Sequence, residues 1–212
     1  MTKELEQIHF EFHIKEITKA AKILQAKLIE KNHLPSHPTK GSEIKPIPIF
    51  EPDQYNLLTF TNEIYDTKIY WLETETIFLP AYFKKYSEDG KTSAIIVVAA
   101  SDNYCQARFL AAKELMHCHT EENGLSSTKT LVEVNELIES LALGVSIPMD
   151  DQTMADQVAW WGAAELLVPD SWIPMLKQIQ ADLSIQFPGN DAVLHIAQLL
   201  RVPVGLVKFK LK

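Results

Sequence analysis

Arg108-Phe109-Leu110-Ala111-Ala112-Lys113-Glu114-Leu115-Met116-His117 follows closely on Ala94 to Ala100, AIIVVAA, and these two segments decide the fold. The earlier run shows no alternation of polar and apolar residues, the pattern of a central strand covered on both faces. Ser101 or Asp102 stands where a helix N-cap belongs, and the spacing beyond predicts a helix reaching about His119. On that helix Lys113 and His117, four apart, project from one face, with Glu114 beside the first of them.

Toward the N-terminus, Phe10, Ile14, Ile17, Ala21, Leu24 and Leu28 keep one apolar stripe and predict a long amphipathic helix over about residues 3 to 32. The stripe is read as packing on the chain's own core rather than as a coiled-coil seam. Five of the eleven prolines lie from Pro35 to Pro52, which predicts a linker or wrapping loop. Leu57 to Thr61, Lys68 to Leu72, Thr76 to Leu79 and Ala94 to Ala100 read as strands, with Asp89-Gly90 as a turn, giving a sheet of three to five strands. Further helices are expected over about 129 to 144, 151 to 168, 170 to 185 and 190 to 200, and Leu206 to Leu211 reads as a short strand. The domain reading is a helix over 1–34, a proline-rich linker over 35–52 and one domain over 53–212.

With 212 residues, 46% apolar and 23% charged, the chain has the composition of an ordinary globular domain. No apolar run approaches the ~18 residues of a membrane span, and the N-terminus has no cationic segment followed by an apolar one. The expectation is a cytoplasmic protein with no membrane partner, whose Cys105 and Cys118 remain reduced thiols. The net charge of −8 argues against broad nucleic-acid binding. From Ala192 to Lys212, however, there are four basic residues and no acidic one, which leaves −12 on the remainder.

The polar set has a chemical precedent. In an HExxH helix two histidines at i and i+4 bind one zinc, and the glutamate beside the first acts as general base on the metal-bound water. Here the motif reads KExxH. A second segment, Asp156-Gln157-Val158-Ala159-Trp160-Trp161-Gly162-Ala163-Ala164-Glu165-Leu166-Leu167-Val168-Pro169, resembles the ExxAxxFAxxLLxP helix of the ImmA/IrrE metallopeptidases, which in that family follows an RFxxAHELxH helix. The resemblance covers roughly Ile69 to Val207 and includes Ile196 to Pro203, similar to the family's AxxFxVS helix and turn.

It implies an α/β (α+β) fold with a thermolysin-like zincin core, a small mixed sheet beside the motif helix, a helical C-terminal half and a long N-terminal helix. It also implies zinc as cofactor and transcriptional repressors of the helix-turn-helix type as substrates. Residue by residue, Glu114 takes the general-base position, His117 the second histidine ligand and Asp156 the third-ligand carboxylate, one methylene short. Lys113 takes the first histidine's place, and Gly162 stands where an aromatic is expected, with Trp160 and Trp161 as candidates to fill its space.

The lysine breaks the site, because an ammonium has no lone pair to donate and opposes a dication at contact distance. The resulting expectation is that Lys113 replaces the metal, its ammonium neutralising Glu114 or Asp156, with zinc absent or weakly bound. Glu114, His117, Cys118 and Glu121 fall on one helix stripe, so an altered ligand set drawing on Cys118, Glu121 or Glu133 is the rival reading; Glu136 also lies in the next helix. His9 and His13 are spaced i, i+4 with no carboxylate or second pair to complete a site and are expected in solvent, as is His119. The leading function is therefore a non-catalytic or impaired peptidase-fold protein whose old cleft holds a segment of a repressor-like partner. Its alternatives are an active zinc peptidase that cleaves a regulator through the altered ligands, and a nucleic-acid-binding regulator using the basic C-terminus. The sequence leaves the oligomeric state open.

Overall fold

Three β-strands and seven α-helices make up the described part of the chain, which in a computed structural model comprises residues 3–31, 46–49, 56–63, 65–72, 81–88, 91–99, 103–122, 151–189 and 191–212. It is a mixed α/β architecture, mostly helical, with one small sheet. The expected strand at 76–79, the Asp89-Gly90 turn, the helix over 129–144 and the caps at Ser101 and Asp102 lie outside the described residues. No single helix among the described residues is long and apolar enough to cross a membrane.

Helix α1 (Lys3–Glu30) buries Ile17, Ala21, Leu24 and Leu28, the stripe expected from its spacing, with Phe10 and Ile14 half-buried on the same seam. That stripe lies along helix α4 (Asp151–Leu167) and also reaches α3 (Tyr104–Glu122), so α1 packs on its own core. The close approach depends on Gly162. A Cβ there would stand 2.5 Å from Ile17 Cγ1 and 3.0 Å from Met116 Cε. The space in which an aromatic was expected is thus filled from α1 by Ile17, and not by Trp160 or Trp161.

The sheet has the order β1 (Asp66–Leu72), β3 (Lys91–Ala99), β2 (Ala81–Glu88), with β3 central, parallel to β1 and antiparallel to β2. Ala94, Ile96 and Val98 are fully buried on the face toward the helices, and on the second face Ser93 is buried and Ile95 half-buried. Strand β2 had no clear signal, because Lys84, Lys85 and Glu88 interrupt its apolar residues. Helix α3 lies on the sheet against β3 and β2. Its observed N-cap is Asn103, whose side chain accepts from the Gln106 amide at 3.2 Å.

Two segments read as strands are helices. Leu57–Asn62 forms α2, capped by Asn56, whose Oδ1 accepts from the Thr59 amide at 3.0 Å. Leu57, Phe60 and Thr61 are buried at i, i+3 and i+4, a spacing that β-rich composition obscured. Val204–Lys210 forms α7, after α5 (Ile173–Gln186) and α6 (Ala192–Leu200). Its alternation of apolar and basic residues misleads because the Lys210 side chain is only 6% exposed, with its ammonium 2.9 Å from Glu165 Oε2 and 2.5 Å from Asp170 Oδ1.

The proline-rich segment contributes to the core through Ile47 and Ile49. Arg108, 4% exposed, ties it in. One guanidinium nitrogen donates to the carbonyls of Leu200 and Arg201, at 3.2 and 3.1 Å, and the other to the carbonyl of Ile47. The first turns of the motif helix are thereby tied both to the proline-rich segment and to the C-terminal end of α6.

Candidate functional site

Lys113, Glu114 and His117 reach one point from α3 because the first and last are a helical turn apart, and Asp156 meets them from the facing turns of α4. The Lys113 ammonium donates to Asp156 Oδ1 at 2.7 Å and to Glu114 Oε1 at 3.1 Å. His117 Nε2 stands 3.0 Å from the same Asp156 oxygen and 3.8 Å from Glu114 Oε2. Phe83 of β2 stacks on the His117 ring, with centroids 5.7 Å apart, and the Thr120 hydroxyl lies 3.4 Å from its Nδ1. The sheet, the helix and α4 therefore converge on one charged cluster, and all four residues singled out by the motif belong to it.

Electrostatics maintain the arrangement. Burial works against the charge on Lys113, but the carboxylates of Glu114 and Asp156 outweigh it and hold the ammonium well above the ordinary lysine range. Burial likewise disfavours ionised Asp156, yet the hydrogen bond from His117 and the charge of Lys113 hold its carboxyl well below the usual carboxylate range. The ionised Asp156 carboxylate can only accept, so it accepts from both the Lys113 ammonium and His117 Nε2.

The donor set does not fit zinc. One imidazole and two carboxylates face a permanent cation, and among the described residues no three His, Cys, Asp or Glu side chains are placed to hold a metal ion. Cys118 is fully buried in the core. The Glu121 side chain, Glu133 and Glu136 lie outside the described residues.

Two histidines are not where the sequence placed them. His119 is 6% exposed and stacks on Phe60 of α2, with centroids 5.1 Å apart; burial pushes its pKa down to about 4. A folded-state value below the unfolded one means that the native state binds fewer protons. The associated stability is therefore present above about pH 6.5 and is lost as the pH falls toward 4. The protein is expected to be about 2 to 3 kcal/mol less stable at pH 4.5 than at pH 7.5 from this group. Urea unfolding at both pH values checks this: His119→Phe should remove that part of the loss, and an unchanged pH dependence would show that His119 does not carry it. His13 is likewise buried, while His195 is exposed on α6.

Trp172 is buried, Trp160 is half-buried, and Trp161 is 36% exposed. Trp160 and Trp161 meet Phe209 of α7 edge-on, with centroids 5.1 and 5.2 Å away, and Trp160 also meets Phe109 of the motif helix. These aromatics attach the C-terminal helix to the core. Helices α6 and α7 bend at 108°, a helix-turn-helix angle, but α7 has seven residues and its Lys210 is bound to Glu165 and Asp170. The basic terminus thus spends part of its charge inside the fold, and Glu165, which no sequence signal marked, is the residue that takes it. The chain matches no protein-family model, and no curated protein is significantly similar to it.

Proposed function

We propose that the chain is a metallopeptidase-fold protein of the ImmA/IrrE type, on a thermolysin-like zincin core, in which a lysine has replaced the zinc and which binds a repressor-type regulatory protein without cleaving it. The observation that carries this reading is the seat of the Lys113 ammonium, 2.7 Å from Asp156 and 3.1 Å from Glu114, at the point on which the three other motif positions converge. Supporting it are the order of strand, motif helix and carboxylate-bearing helix along the chain, and the position against His117 of Phe83, on the outer strand of the sheet among the described residues. In this reading Glu114 accepts a hydrogen bond from an ammonium instead of activating a water, and it has no hydrolytic role. In this reading an extended segment of the partner adds to β2, the outer strand of the sheet among the described residues, and its backbone pairs with that strand.

Metal content of the full chain, purified without chelator or metal-binding tag, tests the reading. Wild type is expected to carry little zinc, and Lys113→His to acquire about one ion per chain, because the substitution supplies the missing imidazole. Stoichiometric zinc in wild type that disappears in His117→Ala would overturn it in favour of an active peptidase with unusual ligands. For the partner, a helix-turn-helix repressor should co-elute with the protein and remain uncut. Cleavage that is abolished in Glu114→Gln would refute the non-catalytic reading.

A further inference from the structure

Helix α1 buries one stripe and carries a second pattern on the side it turns to solvent. Ile8, Phe12 and Ile23 are 57%, 53% and 44% exposed, although each is large and apolar. At 100° per residue, Lys15, Lys19 and Lys22, all exposed, fall with them within the same ~100° of arc, and Ala26 lies among them. A shallow groove of about 490 Å³ runs between Ile14, Thr18, Lys19, Lys22 and Ile23. Glu11 and Glu16 stand at the flanks of this face; Glu16 lies 4.0 Å from Lys19, whose side chain remains mostly exposed. A single exposed apolar residue is ordinary, but three on one helix face, interleaved with charge of one sign, mark an interaction surface.

We propose that this face of α1 docks an acidic amphipathic helix of another protein, whose apolar seam covers Ile8, Phe12 and Ile23 and whose carboxylates meet Lys15, Lys19 and Lys22. Charge complementarity selects the occupant. The lysines recur every three or four residues, about 4.5 to 6 Å along the axis, which is the repeat of a second helix lying alongside; same-face residues of an extended strand recur at about 6.6 Å. A helix also has no backbone edge to which a strand could add. A second copy of this chain is a poor occupant, because the same face turned on itself sets lysine against lysine. The phosphates of a nucleic acid would leave the three apolar residues uncovered, and a flat anionic bilayer would meet Glu11 and Glu16 as well as the lysines. From Ile8 to Ala26 the face is about 27 Å long, room for five turns of the partner. None of these residues belongs to the Lys113 cluster, so the face serves its partner whatever that cluster does.

The test uses two fluorescent helical peptides of about 18 residues that share one leucine seam, edged by glutamates in the first and by lysines in the second, with anisotropy read against the full-length chain. Wild type is expected to bind the glutamate peptide, more weakly as salt is raised, and not the lysine peptide. Lys15→Glu combined with Lys19→Glu should weaken the glutamate peptide by about tenfold and take up the lysine peptide instead, a gain that misfolding cannot produce. Ile23→Ser, at an exposed position, should weaken the glutamate peptide several-fold and keep the wild-type circular dichroism. Vesicles of phosphatidylserine and phosphatidylcholine should not retain the protein. No binding of the glutamate peptide, equal binding of both peptides, no change in the double variant or in Ile23→Ser, or retention on the vesicles in place of the peptide would each overturn the proposal.

Discussion

Gly162→Phe is expected to cost the protein more than about 4 kcal/mol, or to leave α1 undocked from an otherwise folded remainder, because overpacking on this scale is among the few mechanisms that reach such values. The Cβ alone would stand 2.5 Å from Ile17 Cγ1, and that atom is not the free end of a flexible chain but the branch of a stiff side chain within the core. A whole ring cannot be accommodated there unless α1 moves, and Ile17, Ala21, Leu24 and Leu28 would then lose their cover. Urea denaturation and limited proteolysis of α1 would measure the effect.

Gly162→Ala separates the contact from the size of the ring. Helix propensity alone makes this change stabilising by about 1 kcal/mol in a helix interior. The steric conflict with Ile17 opposes that gain by about 1 to 3 kcal/mol, so a net loss is expected. Ile17→Ala opens the space, and the double variant should be more stable than the two single losses summed. A stabilising Gly162→Ala with no coupling to position 17 would mean that α1 does not lie against this glycine.

The position of Gly162 shows what the sequence could and could not convey. The stripe from Phe10 to Leu28 announced a helix with a buried face, because 3.6-residue periodicity is local information. That its partner is α4, and that a missing side chain on α4 makes the fit, is a contact between residues 145 positions apart. Similar reasoning separates the other outcomes. The Lys113, Glu114 and His117 set was legible because a helix fixes the relative direction of residues one turn apart, and Asp156 joined it only through family resemblance. Leu206 to Leu211 was misread because the alternation rule takes every lysine to face water, whereas Lys210 is sequestered by Glu165 and Asp170. The angle of His119 on its helix points the ring toward solvent, but α2 covers that side with Phe60, a contact that helix periodicity does not carry. Ile47 and Ile49 entered the core from a segment whose prolines mark it as irregular, which is a statement about hydrogen bonding and not about burial.

Lys113→Met should destabilise the protein by about 3 kcal/mol at pH 7, the lower end of what removing one partner from a buried ion pair costs. The lysine side chain is 19% exposed and that of Glu114 only 3%, so without the ammonium the Glu114 carboxylate stays behind in the interior, close to Asp156 and without its cation. Asp156 is 36% exposed, and water screens its share of the penalty, which keeps the expected value from going higher. The raised pKa of Lys113 gives the sign with pH: its stabilisation is fully present through neutrality and fades only as the solution becomes more alkaline than the ordinary lysine range. Asp156 behaves oppositely, contributing at neutral pH and losing that contribution as the pH falls below the ordinary aspartate range. Adding Glu114→Gln to Lys113→Met removes the stranded charge and should recover most of the loss, although Glu114→Gln alone in wild type is destabilising. Lys113→His should behave like Lys113→Met in the absence of metal and regain stability as zinc is added, since an ion bound only by the native state stabilises it in proportion to the logarithm of its concentration. A Lys113→Met variant as stable as wild type would show that the ammonium is solvated rather than seated, and the replacement of metal by lysine would lose its physical basis.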